Sequence, residues 1–151
     1  MKRYIIDGNN LIGKTESLKE LHKKDKQLSR VKLAFMLERY FSKRKALVDL
    51  FFDGFENEPI KVHGIKLNYS GYLTADEKIK KDIERSSNPR NLTVVTSDSN
   101  LQEFAKVCCC TVLKSEEFVR QINSVATQDE EQSKIAQLKN SEEFKKLFGA
   151  E

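Results

Sequence analysis

The sequence predicts an α/β domain built on a parallel sheet with helices on both faces. Short apolar runs alternate with stretches of helical period, the inner runs are apolar at consecutive positions, and several end in aspartate. Such alternation requires right-handed crossovers between parallel strands. A chain of 151 residues fits one domain and is long enough to bury a core around one sheet.

Tyr4 to Ile6 reads as the first strand, closed by the turn-forming tetrapeptide Asp7-Gly8-Asn9-Asn10. Ser17 and Glu20 have capping-box spacing for a first helix, and Val31, Ala34, Leu37 and Phe41 mark the apolar face of a second. Ala46 to Phe52 reads as an inner strand ending at Asp53-Gly54, and Ile60 to Leu67 as a less buried third strand. Thr74 opens a helix running through Arg85, with Ile79 and Ile83 four apart. After the loop from Ser86 to Asn91, Leu92 to Thr96 forms a fourth strand ending in Ser97-Asp98. A helix to about Lys106, a strand containing Cys108 to Cys110 and ending Thr111-Val112-Leu113, and a helix from Ser115 follow. Glu116 and Glu117 in its first turn complement the helix dipole. The main domain is expected over 1–125, with 126–151 as a C-terminal helical extension carrying Ile135, Leu138, Phe144, Leu147 and Phe148.

The net charge of +4 hides an asymmetry: residues 1–90 hold 20 Lys+Arg against 13 Asp+Glu, and residues 91–151 hold 7 against 10. A basic first half suits a polyanion, although a solvated charged surface has the same composition. The apolar run at the N-terminus is cut by Asp7 before a signal peptide or membrane span could form, so a cytoplasmic protein without a membrane partner is expected. Oligomeric state is left open. The consecutive cysteines match neither a disulfide framework nor the paired spacing of a zinc site, and are read as small strand residues with reduced thiols.

Ligands of open α/β sheets bind beyond the carboxyl ends of the strands. Asp7, Asp53 and Asp98 each end a strand, and Asp76 opens the helix after the third. Like charges gathered there imply a bound cation, and a donor set of oxygens suits Mg²⁺ or Mn²⁺. Such a metal activates water and orients a phosphodiester, which makes hydrolysis of nucleic acid the natural chemistry. Each residue also has a structural explanation: Asp7 and Asp53 as turn formers, Asp76 and Asp98 at helix starts, and Glu77 in a capping box with Thr74.

Taken in order, Asp7-Gly8-Asn9-Asn10-Leu11-Ile12, Phe52-Asp53-Gly54, Thr74-Ala75-Asp76-Glu77 and Thr96-Ser97-Asp98 with Gln102 resemble the motifs of the NYN domain, and particularly its YacP-like branch among the PIN-like nucleases. The resemblance spans about residues 2 to 123. It implies a Rossmann-like three-layer domain of about five parallel strands in the order 3-2-1-4-5, and metal-dependent endoribonuclease activity; the acidic constellation itself suggests in-line attack by metal-activated water, leaving a 5′-phosphate and a 3′-hydroxyl. It also implies that Asp7, Asp76 and Asp98 are metal ligands and catalytic, with Asn10 orienting a ligand or the scissile phosphate. Thr96 and Ser97 would be hydrogen-bonding neighbours, with Asp53 and Asn100 behind the ligands. The branch is linked to messenger RNA cut on the ribosome, which implies messenger RNA and the ribosome as partners. Asn9, Asn100 and Lys80 depart from the family's usual residues, where an aromatic residue, an acid and a glutamate are common, so the acidic cluster is leaner.

Lys14, Lys78, Lys80 and Lys81 are candidate RNA contacts, and Tyr72, like Tyr69, is a candidate to stack on bases. A rival reading is a non-catalytic RNA- or ribosome-binding module with the same fold, motivated by Asn100 and Lys80. A phosphatase of the haloacid dehalogenase type fits less well, because it needs an aspartate where Asn9 stands.

Overall fold

Ile5 and Ile6 are apolar at consecutive positions and fully buried, which sets β1 (Lys2–Asp7) in the middle of a sheet covered on both faces. The computed structural model describes residues 1–125. β2 (Ala46–Phe52), β3 (Ile65–Tyr69), β4 (Leu92–Val95) and β5 (Thr111–Leu113) complete a five-stranded parallel sheet in the order β3-β2-β1-β4-β5. The order reverses at β1, whose two neighbours are β2 and β4. A crevice at the carboxyl edge is expected at that point.

Side chains of alternate parity on β1 serve the two layers. Ile5 packs with Phe51, Leu92 and Val94 beneath α4 (Ala75–Arg85) and α5 (Ser99–Val107), which contribute Ile79, Ile83, Leu101 and Ala105 to this core. Tyr4 turns to the opposite layer and meets Phe41 and Phe118 at centroid separations of 5.0 and 6.3 Å. Phe41 closes α3 (Lys26–Phe41), and Phe118 lies on α6, the helix over 115–125. α1 (Gly8–Gly13) and α2 (Glu16–Lys24) connect β1 to α3.

Four local expectations change. Asp7 to Asn10 is no turn: β1 passes directly into α1, with Asp7 as N-cap accepting a long 3.4 Å hydrogen bond from the Asn10 amide. Ser17 lies inside α2 rather than capping it. The N-cap is Thr15, whose hydroxyl instead donates to the Leu11 carbonyl and ties α2 to α1. The third strand starts at Ile65, since Ile60 to Val62 have no strand partner and the chain turns at Gly64, φ +76°, before pairing Ile65 with Val48. Cys108 to Cys110 precede β5 instead of forming it. Cys108 caps α5, Cys109 turns the chain at φ +68°, and Cys110 enters the core, where burial pushes its thiol up to about 11. All three are free thiols, as expected. The extension proposed for 126–151 lies outside the described residues.

Gly8 makes the direct β1–α1 junction feasible. A Cβ there would lie 2.6 Å from the Phe51 carbonyl oxygen and 2.8 Å from the Phe52 ring, so any larger residue would force α1 away from β2.

Candidate active site

The carboxyl edge of β1, β2 and β4 and the N-terminus of α4 bring Asp7, Asp53, Asp76 and Asp98 around one cleft of about 550 Å³, also lined by Asn9, Asn10 and Thr74. The four carboxylates come from separate motifs, and parallel topology alone puts them on the same side.

Asp7 is buried at the centre of the edge. Burial drives its carboxyl from the ordinary 3.8 up to about 6. Hydrogen bonds from the Asn10 amide and the Thr96 hydroxyl pull the other way, and the Asp53 and Asp76 charges add to the rise. The Thr96 hydroxyl donates to Asp7 Oδ2 at 3.1 Å and accepts from the Asp98 amide at 3.1 Å, so one side chain ties the ends of β1 and β4 together.

Asp53 and Asp98 serve helices as well as the cleft. Asp53 Oδ1 accepts from the Ala75 amide at 2.7 Å, joining the end of β2 to the start of α4, while Asn9 Oδ1 accepts from the Asp53 amide at 2.9 Å. Asp98 caps α5 by accepting from the Leu101 amide at 2.8 Å. At α4, Thr74 accepts from the Glu77 amide, which is half of the expected capping box. Asp76 Oδ2 pairs with Lys80 Nζ at 3.1 Å, and its Oδ1 is buried without a hydrogen-bond partner.

A second layer of hydrogen bonds lies behind the carboxylates. Asn10 Oδ1 accepts from the Ser97 amide at 2.9 Å and the Ser115 hydroxyl at 2.7 Å. Ser97 Oγ accepts from the Ser115 amide and donates to Glu116, and that bond holds the Glu116 carboxyl below its ordinary range. Asn10 therefore positions the β1, β4 and β5 ends, and its side-chain oxygen is fully engaged. Ser115 and Glu116 were not among the expected site residues. They lie 18 and 19 residues from Ser97 and meet it only because β4 and β5 are adjacent, a pairing that no local spacing encodes.

Arg30 is a further residue without a local signal. Buried on α3, its guanidinium donates to the Asp53 carbonyl at 2.6 Å and the Phe55 carbonyl at 3.1 Å, and lies over the Phe52 and Tyr69 rings. It fixes the loop that carries Asp53.

The cations anticipated for RNA divide. Lys80 is drawn to Asp76 and also donates to Asn100 Oδ1 at 3.0 Å, while Lys78 donates to the Tyr69 carbonyl at 3.0 Å. Lys14 and Lys81 are exposed, and the Lys14 charge acts on Glu116. Tyr72 is 98% exposed, whereas Tyr69 is half-buried beneath Arg30.

Among the described residues, no group of three or more His, Cys, Asp or Glu side chains is placed so that it could hold a metal ion as it stands. The donor chemistry nevertheless fits a hard divalent cation: the side-chain oxygens are carboxylates, Asp7 is raised first by burial and then by the Asp53 and Asp76 charges, and Asp76 Oδ1 is a buried acceptor with nothing to accept from.

A three-layer parallel domain in this strand order, with carboxylates at the carboxyl edge, has the arrangement of a PIN-like nuclease domain, and the family match places the chain in that class. Within it, the profile of the YacP-like NYN domain matches residues 4–149, and the chain belongs to that family. Two solved structures share the fold. A mutant of Rae1 (YacP) from Bacillus subtilis aligns with a TM-score of 0.76 and 24% identity, over 91% of this chain and 85% of that one. A second structure of Rae1 (YacP) from the same organism aligns at 0.74 and 22%, over 99% and 93%. No curated protein sequence matches the chain.

Proposed function

We propose that this chain is a cytoplasmic, divalent-metal-dependent endoribonuclease of messenger RNA, with the nuclease domain in 1–125 and 126–151 as its extension. The observation that carries the reading is the convergence of Asp7, Asp53, Asp76 and Asp98 on one cleft at the switch of strand order. Asp7, Asp76 and Asp98 would hold Mg²⁺ or Mn²⁺. When bound, the cation supplies Lewis-acid activation of water and neutralises charge developing at phosphorus. The chain's own residues position the donors. Thr96 orients Asp7, Asp53 fixes the start of α4 and with it Asp76, and Asn10 locks Ser97 at the end of β4 beside Asp98. Hydrolysis would leave a 5′-phosphate and a 3′-hydroxyl.

Purified protein with Mg²⁺ or Mn²⁺ is expected to cut messenger RNA, presented free and on ribosomes to determine whether the ribosome is a partner. Asp7→Asn and Asp98→Asn should each abolish cutting while circular dichroism stays unchanged. Full activity in both variants would overturn these roles.

The Lys80–Asp76 ion pair favours a second reading, because an ammonium in place beside Asp76 partly fills the role of a cation. On that reading the chain is an RNA- or ribosome-binding module without chemistry. It should then hold RNA equally well in chelator and never shorten it.

A further inference from the structure

Two loops beside the carboxylates hold an aromatic pair out in solvent. Phe55 is 58% exposed and Tyr72 98% exposed, and their rings meet edge to face with centroids 4.9 Å apart and planes at 80°. A lone exposed aromatic needs no explanation, but this pair sits on backbone that is fixed from several directions. The Gly71 amide donates to the Gly54 carbonyl at 2.7 Å, the Ser70 amide to the Phe52 carbonyl at 3.0 Å, and the Gly54 amide to Ser70 Oγ at 2.9 Å. Arg30 holds the Phe55 carbonyl from the core side. Gly71, at φ +65°, leaves the Phe55 ring close over its backbone, where a Cβ would stand 3.7 Å from the ring. Leu73, the residue after Tyr72, is 38% exposed and lines the carboxylate cleft with Thr74 and Asp76, and Asp53, two residues before Phe55, lines it too, so both loops that carry the aromatic pair also border that cleft.

We propose that Phe55 and Tyr72 form a stacking subsite for an unpaired RNA base, so that the chain selects single-stranded RNA at the point of cutting. This inference rests on the nuclease reading above and assigns its substrate class. Edge-to-face packing leaves a ring face of Tyr72 open, and an open aromatic face accepts any base with little regard to sequence. Both faces of an internal duplex base are already stacked, so a duplex cannot fill the subsite without unstacking. On the nuclease reading the adjoining cleft takes a phosphate carried on a cation, which places a base beside its own backbone; an acidic peptide would meet four carboxylates of which Lys80 offsets only one.

The test measures binding apart from cutting. A short unpaired oligoribonucleotide carrying 2-aminopurine, and the same strand annealed to its complement, are titrated in chelator against the full chain and against Tyr72→Ala, Tyr72→Trp and Phe55→Ala. The unpaired strand should bind the unmodified chain more tightly than the duplex, with quenching of the 2-aminopurine. Tyr72→Ala should weaken single-strand binding about tenfold and remove the quenching, Tyr72→Trp should retain both, and duplex binding should move in neither. Tyr72 is almost wholly exposed, so its replacement leaves the core untouched; unchanged circular dichroism verifies this.

Equal affinity for unpaired strand in Tyr72→Ala and Phe55→Ala, or an equal loss for duplex, overturns the subsite. So does a dimer of the unmodified chain that dissociates in Tyr72→Ala, since the pair would then be an interface. RNA cut normally by Tyr72→Ala with unchanged strand preference sinks the subsite and leaves the nuclease intact. Tyrosine-dependent binding without any cutting by the unmodified chain does the reverse.

Discussion

Asp98 carries two roles that a single substitution can separate. Its carboxylate caps α5 through the Leu101 amide and also faces the cleft. Asparagine is as good a cap as aspartate, whereas alanine leaves the amide unpaired and costs about 1 kcal/mol. Asp98→Asn should therefore unfold at the same urea concentration as the parent chain but lose cutting, while Asp98→Ala loses both. Retained cutting in Asp98→Asn would make the residue a cap and nothing more. Asp7 has a different signature, because burial raises its carboxyl from 3.8 to about 6. In the metal-free protein the neutral form is thus favoured by the fold. Stability from this group is complete below about pH 3.8 and is lost as pH rises through about 6, by about 3 kcal/mol in all. Asp7→Asn should remove that loss: measured in chelator, its stability relative to the parent should climb between pH 4 and pH 7 and then level off. A flat difference would show that Asp7 is not held against its ionisation.

At the scale of elements, the critical joint is the passage of β1 into α1 without a loop. Gly8→Ala puts a methyl group 2.6 Å from the Phe51 carbonyl oxygen, so either α1 lifts or β2 shifts against β1. Overpacking of this kind costs about 1–3 kcal/mol, and against backbone the upper part of that range is expected. A denaturant midpoint unchanged from the parent would mean that the joint yields freely. This joint also shows what local pattern conveys. The inner strands were legible because a parallel strand covered on both faces is apolar at successive positions, as in Ala46 to Phe52. Asp7-Gly8-Asn9-Asn10 has turn composition, yet it starts a helix, since Asp and Asn serve N-termini as well as turns. Ser17 and Glu20 have capping spacing, but the preceding helix end supplies Thr15 first. Asp7, Asp53, Asp76 and Asp98 could be read as a set from motif order, while Ser115, Glu116 and Arg30 could not, because only the sheet order and the α3 packing bring them in.

For the whole molecule, charge is arranged at two ranges. Residues 1–90 carry an excess of seven positive charges, which would favour a polyanion at long range, while the cleft within that same segment and at Asp98 is acidic and would repel a phosphate at close range. A cation in the cleft would reconcile the two, since Lys80 beside Asp76 offsets only one of four carboxylates. A ligand that binds the folded chain alone stabilises it by RT ln(1 + [L]/Kd), which is about 1.4 kcal/mol at roughly ten times Kd. For a chain of 151 residues that corresponds to a rise in Tm of about 3–6 °C. Mn²⁺ should produce such a rise in the parent chain, reversed by chelator. Asp76→Asn retains the shape of the side chain but removes its charge, and should lose most of the rise. An equal rise in Asp76→Asn would place the cation away from α4, and no rise in the parent at millimolar Mn²⁺ would leave the cleft dependent on RNA phosphates to complete its coordination.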